Sequence, residues 1–213
     1  ITMTGGAGQL VDSKTLIPET NDFGFFMWIA FTNVAIQTTQ MHLFSCNAGQ
    51  VGRCNFMITD AGDRLGWFHS GGKGLTGSVL VNDGAWHHLG LTRRGGRSQL
   101  WVDGVPDGAP TAVDATPISQ AQDWRIGAFV SELAGLYHGR MDDLRVYHGA
   151  LTDEEIASLT ASYVPDQAEH RWRLDEAAGT TLFAPEDGWM SAVAKKTPAT
   201  GLRAPQGTGI GLD

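Results

Sequence analysis

Acidic side chains offer the first candidate site, a metal-binding one. The run 139–147 alternates like a strand, and this alternation places Asp142 on the face that the apolar side chains of the run share. A buried carboxylate without a compensating charge is costly, and a hard cation such as Ca²⁺ would compensate it. An ion pair from Asp142 to an arginine such as Arg173 is the alternative. Asp143 and Arg145 fall on the opposite face, where we expect a solvated pair.

Aromatic side chains offer a second candidate, a carbohydrate-binding face. Saccharides stack on aromatic rings while polar neighbours supply hydrogen bonds. Most of the 7 tryptophans are expected in the core, but Trp101 is out of phase with the apolar residues on either side of it, which predicts an exposed ring. Trp67 lies near glycine-rich loops, and Tyr137 and His138 precede the last long strand. These four residues are the predicted ligand contacts.

Cys46 and Cys54 are the two cysteines of the chain. They flank the loop 47–53, and the apolar runs Met41–Ser45 and Asn55–Thr59 on either side are typical of a hairpin. Cysteines just above such a loop can face each other at disulfide distance, and a disulfide favours an oxidising compartment. Two half-buried thiols are the alternative.

Composition indicates a chain that turns often. Glycine accounts for 28 of the 213 residues, well above the roughly 7% of average proteins, and it has no three-residue period, which excludes collagen. The 42% of hydrophobic residues can form a core. No apolar run approaches the roughly 20 residues that span a bilayer, and residues 1–8 lack the features of a signal peptide. A net charge of -8 without a basic cluster argues against nucleic-acid binding.

Strand patterns dominate the chain. Phe23–Phe31 carries apolar side chains at both alternating positions, so we expect it to be central and covered on both faces. Short strands joined by glycine turns predict an all-β, two-sheet antiparallel sandwich. A capping box at Thr152–Glu155 predicts one short surface helix near 153–162. Besides the two cysteine runs, further strands are predicted at 64–69, 77–81, 87–93, 98–102, 124–128, 139–147, 170–174 and 209–212.

Three stretches resemble the laminin G-like, concanavalin A-like jelly-roll family. Ala85–Arg93, AWHHLGLTR, resembles the family's WHHVALT strand, and Gln99–Gly104, QLWVDG, resembles the LYVDG strand and turn that follow it. Gly139–Thr152, GRMDDLRVYHGALT, resembles the GxIDDVRIYNRALS strand that leads into a short helix. The three stretches occur in the family's order, and the resemblance implies a jelly roll.

The C-terminal part departs from that order. Relatives begin with a strand of the form HWRFDEGSGTT, and this chain has the pattern at His170–Thr181 instead. We therefore expect residues 1–162 to form the jelly-roll core and residues 163–213 to complete the same sandwich in a circularly permuted order. Docking on a neighbouring chain, or the opening of a truncated second domain, is the alternative. The resemblance implies one structural Ca²⁺ at Asp142, with Asp175 and Glu176 as partner ligands.

Catalysis is not expected. Retaining glucanases of this fold carry Glu-x-Asp-x-x-Glu on one strand, which places the acid and the nucleophile about 5 Å apart, and no predicted strand here has that pattern. His87 and His88 are adjacent on a strand and point to opposite faces. Metalloprotease, serine-hydrolase and phosphate-loop motifs are absent from the sequence.

These expectations together predict a non-catalytic binding or adhesion module outside the cell that recognises a glycan or a protein surface. A structural component of an assembly, such as a virion decoration or fibre protein, is the alternative. Neither function involves nucleic acid or a membrane span.

Overall fold

The computed structural model describes residues 2–4, 9–11, 22–32, 40–46, 53–59, 63–69, 73–112, 124–129, 135–149, 151–161, 170–172, 181–183 and 191–194. Within these ranges the elements are β1 (Thr2–Thr4), β2 (Gln9–Val11), β3 (Phe23–Ala30), β4 (Met41–Cys46), β5 (Cys54–Ile58), β6 (Arg64–His69), β7 (Lys73–Leu80), β8 (His87–Arg94), β9 (Arg97–Val102), β10 (Val105–Ala112), β11 (Trp124–Ile126), β12 (His138–His148), α1 (Asp153–Ala161), β13 (His170–Trp172), β14 (Thr181–Phe183) and β15 (Ser191–Ala194). The helix found in these ranges is not of the length and apolarity that crossing a membrane needs.

The strands form two antiparallel sheets. Sheet A has the order β1-β12-β3-β8-β9-β10, with β13 also paired to β12, and sheet B has the order β14-β15-β2-β11-β4-β5-β6-β7. One large cluster of buried apolar side chains lies between the sheets and includes residues of both. The prediction of an all-β, two-sheet antiparallel sandwich with one short helix is confirmed.

β3 is buried on both faces along its whole length, as its sequence predicts. Phe25 and Met27 belong to the core between the sheets, whereas Phe26 belongs to a second cluster on the outer face of sheet A. The ring of Phe26 lies over Gly90 of β8, where a Cβ atom would come within 2.4 Å of it. A side chain at position 90 would therefore displace the ring.

The helix α1 covers the outer face of sheet A. The predicted capping box is present, because the Thr152 amide donates to Glu155 Oε2 at 2.7 Å and the Glu155 amide donates to Thr152 Oγ1 at 3.3 Å. Ile156 is the buried residue of the helix and packs with Phe26, Trp101 and Tyr147. The amphipathic helix thus completes the burial that β3 requires.

Cys46 and Cys54 are register partners in the β4–β5 hairpin, as their spacing predicts. The disulfide prediction is wrong for this structure, because both residues are thiols. Both side chains are fully buried in the core between the sheets, where a thiol packs as a small apolar group. Burial and the contact with Cys46 raise the pKa of the Cys54 thiol well above its ordinary value.

The sequence did not predict β10, whose residues Val105–Ala112 contain two prolines and a glycine. Such residues are tolerated at a sheet edge, where one side of the strand has no ladder to complete, and β10 is an edge strand of sheet A. The strand predicted at 77–81 is longer, at Lys73–Leu80. The strand predicted at 209–212 lies outside the described residues.

Segments from the C-terminal part pair with both sheets. β13 is antiparallel to β12 and places Arg171 opposite Arg145. β15 is antiparallel to β2 and also pairs with β14. β13 and β15 therefore pair with strands of residues 1–162, whereas the division into core and closing segment stays a prediction.

Asp107 joins the edge strands of the two sheets. From β10 its carboxylate accepts hydrogen bonds from the Ser78 amide at 2.8 Å, the Ser78 hydroxyl at 2.7 Å and the Val79 amide at 3.4 Å, all on β7. Gly77 leaves room for this approach, because a Cβ there would lie 1.9 Å from Asp107 Oδ2. One carboxylate thus closes the open side of the sandwich.

We expect Asp107→Ala to lower the free energy of unfolding by about 1–3 kcal/mol, because it removes the acceptor of those hydrogen bonds. Urea denaturation measures the change. Thr111→Ala, on the exposed part of the same strand, is the control and should change stability by less than about 0.5 kcal/mol. Equal effects of the two substitutions would contradict the role given to Asp107.

Candidate functional site

A cavity of about 390 Å³ opens on the outer face of sheet A, between the edge strand β10 and the start of α1. Its floor comes from β9, because alternation along that strand sends Arg97, Gln99 and Trp101 to the outer face while Leu100 enters the core. Alternation along β9, near the edge of sheet A, therefore supplies the floor of the cavity.

Hydrogen bonds fix the polar side chains of this floor. Gln99 Nε2 donates to the carbonyl oxygens of Leu100 at 2.7 Å and Gly108 at 3.0 Å. One terminal nitrogen of Arg97 donates to the Pro110 carbonyl at 2.5 Å. Trp101 Nε1 donates to Thr92 Oγ1 at 2.9 Å. The floor is rigid, and Arg97 keeps further N–H donors for a ligand.

The wall on the helix side is charged. Arg94 donates to the Leu151 carbonyl and lies 3.4 Å from Asp153 Oδ1, and both Arg94 and Asp153 line the cavity. Pro106 and Pro110 of β10 form the opposite wall. Apolar ring faces beside donors and a carboxylate acceptor suit a polyhydroxylated ligand.

The four predicted ligand contacts have different outcomes. Trp101 faces outward as predicted and lines the cavity, but the prediction of an exposed ring is wrong, because α1 and β10 leave only 3% of the residue accessible. The prediction of Trp67 as a ligand contact is also wrong, since Trp67 is 1% exposed and lies in the core between the sheets. The phase of β6 points its indole inward, and the nearby glycine-rich loop does not change that.

Tyr137 is wrong as a surface ligand contact, and His138 beside it is only half-buried. Tyr137 is 1% exposed in the core, and its hydroxyl lies 3.3 Å from the Ala30 carbonyl and 3.2 Å from the Arg140 carbonyl. Burial raises the pKa of this phenol far above its ordinary value. His138 is half-buried at the start of β12, where it pairs with Thr4. Tyr137 thus serves the packing of the core, whereas the ligand contact at His138 stays a prediction.

A β-bulge in β12 corrects the orientation predicted for Asp142. Asp142 pairs with Trp28 and Arg145 pairs with Phe26, so three steps along β12 match two along β3. Asp143 has a left-handed backbone conformation, with a φ of 51°, within this bulge. Asp142 therefore lies on the outer face with Trp28, not on the core face, and it is 1% exposed.

The bulge also buries the pair that was expected to be solvated. Asp143 Oδ2 accepts from Arg145 at 2.8 Å and 3.1 Å, and both side chains are buried. His88 lies beside them with its ring stacked on Phe26 at 5.7 Å. Burial, together with the charge of Arg145, lowers the pKa of His88 to about 4. This imidazole is neutral at pH 7.

The described part of the chain holds no ligand set for the predicted calcium ion, because no group of three or more His, Cys, Asp or Glu side chains there could hold a metal ion. Asp142 alone does not fit Ca²⁺, which takes 6–8 oxygen ligands in general. Asp175 and Glu176 lie outside the described residues, so a site that includes them stays a prediction.

Comparison with known proteins identifies relatives of this fold. A family model described as the concanavalin A-like lectin/glucanases superfamily matches residues 3–157. Among solved structures, a candidate carbohydrate-binding protein of Bacteroides ovatus aligns with a TM-score of 0.65 at 16% identity, over 96% of this chain and 62% of that one. This chain thus spans less than two thirds of that protein.

Two further structures are similar. Domain 4 of an extracellular arabinanase from Geobacillus stearothermophilus, in complex with arabinotriose, aligns with a TM-score of 0.60 at 16% identity over 73% of each chain. The CBM40 domain of the Ruminococcus gnavus IT-sialidase, bound to α2,3-sialyllactose, aligns with a TM-score of 0.59 at 16% identity, over 76% of this chain and 96% of that one. At such identities the likeness shows the fold, and the resemblance found in the sequence is confirmed.

We expect the contributions of His88 and His87 to stability to change with pH in opposite directions. The pKa of His88 lies below the roughly 6.5 of an unfolded histidine, so the stability that neutral His88 allows is lost as pH falls from about 6.5 towards 4. Burial opposes the charge of His87, but Asp103 at 2.8 Å and Asp83 at 3.2 Å outweigh it and raise the pKa. The stability from His87 is therefore present below about 6.5 and lost as pH rises through its folded pKa.

Melting curves between pH 4.5 and 8.5 measure both effects. His88→Gln should flatten the acid side of the profile, although His42, whose pKa burial and Arg53 lower to about 4, keeps its own share there. His87→Gln, its neighbour on the other face, should destabilise most at low pH. Two variants with profiles parallel to the unmodified protein would contradict these assignments.

The calcium prediction is tested by melting in EDTA and after re-addition of Ca²⁺. If Asp142 binds the ion with Asp175 and Glu176, the chelator lowers the melting midpoint and Asp142→Asn abolishes the response. A midpoint that does not change with EDTA would contradict the calcium prediction.

Proposed function

The chain belongs to the concanavalin A-like lectin/glucanase superfamily, and from that premise we propose that it is a non-catalytic module that binds glycans in the cavity beside α1. The observation that carries the proposal is the lining of that cavity. Trp101, two prolines, Arg97, Gln99 and Asp153 bring apolar rings together with fixed donors and acceptors. Saccharides need this combination, since their faces are apolar and their rims are hydroxylated.

The relatives support the class of ligand. The arabinanase domain and the sialidase module were each solved with a saccharide bound, and both have the sandwich architecture that this chain has. Because identity is only 16% to each, their ligands suggest a glycan but do not indicate which one.

Each side of the cavity would make a different contact. The half of Arg97 that is not held by Pro110 can donate to sugar hydroxyls, and Asp153 can accept from them. The proline rings of β10 and the edge of the Trp101 indole would contact the C–H face of a sugar ring. A volume of about 390 Å³ accommodates one or two sugar residues.

The same lining supports a binding role without catalysis. Glycoside hydrolysis uses a pair of carboxylic acids, and Asp153 is the single carboxylate among the lining residues that the structure describes. Asp153 also begins α1 and lies against Arg94, which serves structure. We place the module outside the cell, in keeping with the extracellular arabinanase among its relatives.

A glycan array, followed by calorimetry on the strongest hit, tests the proposal. We expect Arg97→Ala to weaken binding about 10- to 100-fold, because a hydrogen bond from a charged donor contributes about 1.5–3 kcal/mol. Arg64→Ala is the matched control, since Arg64 also donates to one backbone carbonyl, that of Ser78 at 3.2 Å, but lies on sheet B.

Two results would contradict the proposal. The first is an array without hits, which would favour the alternative of a structural component, and analytical ultracentrifugation of the same sample would then show self-assembly. The second is equal loss of binding in Arg97→Ala and Arg64→Ala, which would place the glycan elsewhere on the sandwich.

A further inference from the structure

We propose a second binding site, on the outer face of sheet B, where Arg53 recognises the carboxylate of an acidic sugar. This site is distinct from the cavity on sheet A and does not depend on it. Its residues come from the start of β5, the end of β6 and the segment that follows β11. The guanidinium of Arg53 is its centre.

Arg53 lies over two aromatic rings. Its guanidinium carbon lies 4.9 Å from the centre of the Phe68 ring and 5.2 Å from the centre of the Phe129 ring. Stacking of this kind leaves the donors at the edge of the planar group available for a planar anion. Arg53 itself is half-buried, so part of the group reaches solvent.

The charge of Arg53 has no compensation in the described part of the chain. Its contacts there are the two rings, and Nε is buried without a hydrogen-bond partner. The ion pairs found in the described residues involve other groups, namely His87, Arg94 and Arg145. A buried cationic donor without a partner costs stability, and a bound carboxylate would supply the missing acceptor in the bidentate geometry that arginine favours.

The ring of Phe129 is fixed by the backbone on which it lies. Gly127 donates to the Leu43 carbonyl at 3.0 Å, and the Ser45 hydroxyl donates to the Ala128 carbonyl at 2.8 Å. Arg125 then donates to the carbonyl of Phe129 itself at 3.1 Å. The segment is therefore tied to β4 and β11, and the site is built before a ligand arrives.

Polar side chains beside Arg53 would add hydrogen bonds to the ion pair with a bound carboxylate. Asn55 points to the same face as Arg53, two residues along the strand, and it is the register partner of Phe68. Within the described residues, Asn55 Oδ1 is buried without a hydrogen-bond partner, and so is His42 Nδ1, whose ring packs at 5.1 Å on Phe129. Two buried polar atoms, Asn55 Oδ1 and His42 Nδ1, thus lie beside the cation.

This combination selects an acidic sugar over other carboxylates. The carboxylate would pair with Arg53, and a sugar hydroxyl would supply the donor that Asn55 Oδ1 lacks. A side-chain carboxylate of a peptide brings the charge but not the hydroxyl donors. A neutral sugar brings hydroxyls but leaves the guanidinium without an anion.

Glucuronic acid is the probe, titrated into the full chain and followed by NMR, with its methyl ester, glucose and acetate as comparison ligands. We expect saturable binding of glucuronic acid, at least about tenfold weaker binding of the ester and of glucose, and similarly weak binding of acetate. Arg53→Gln should lose about tenfold or more of the affinity for glucuronic acid, and Arg53→Lys should lose part of it, because lysine keeps the charge but not the planar fork.

Arg64→Gln is the matched control and should bind glucuronic acid as the unmodified protein does, and the melting midpoint of each variant shows that it folds. Absence of saturable binding, equal affinity for the acid and its ester, acetate bound as tightly as the acid, or full affinity in Arg53→Gln would each overturn the proposal. Arg97→Ala separates the two sites, since it should weaken glycan binding in the cavity and leave the glucuronic acid titration unchanged.

Discussion

The burial of both faces of β3 is the constraint on which the rest of the structure depends. A strand with Phe25 and Met27 on one side and Phe26 on the other needs a cover on each side. Sheet B supplies one cover, and α1 supplies the other through Ile156. The helix covers only the centre of sheet A, and the uncovered strip between it and β10 is the cavity. The candidate site is thus what the helix leaves open.

Much of this architecture could be predicted from local pattern. Alternation predicts the strands and the outward phase of Trp101, and the capping box predicts where α1 begins. Pattern could not predict the bulge at Asp143, because an extra residue in one strand shows only against its partner strand. Alternation counted back from Leu144 across this bulge assigns Asp142 to the core face, whereas it lies on the outer face. It also could not predict β10, whose prolines are permitted only by its place at an edge.

The residues of both proposed sites carry sequence signals in their strand phase. Arg97 and Gln99 share the phase of Trp101, so the reasoning that turned the indole outward turns them outward as well. Arg53 and Asn55 are out of phase with the cysteines of the hairpin, which places them on the outer face of sheet B. Whether these polar side chains have partners depends on segments that meet only in the folded chain, and sequence spacing does not reveal that.

The central claim is that a glycan occupies the cavity beside α1. The indole N–H signal of Trp101 reports on it directly, because that group donates to Thr92 on the cavity floor. Titration of ¹⁵N-labelled protein with the strongest oligosaccharide from the array should shift the indole signal of Trp101 and the amide of Gly108, and should leave the core indole of Trp67 unchanged. A saturable titration that leaves Trp101 and Gly108 unmoved would contradict the account.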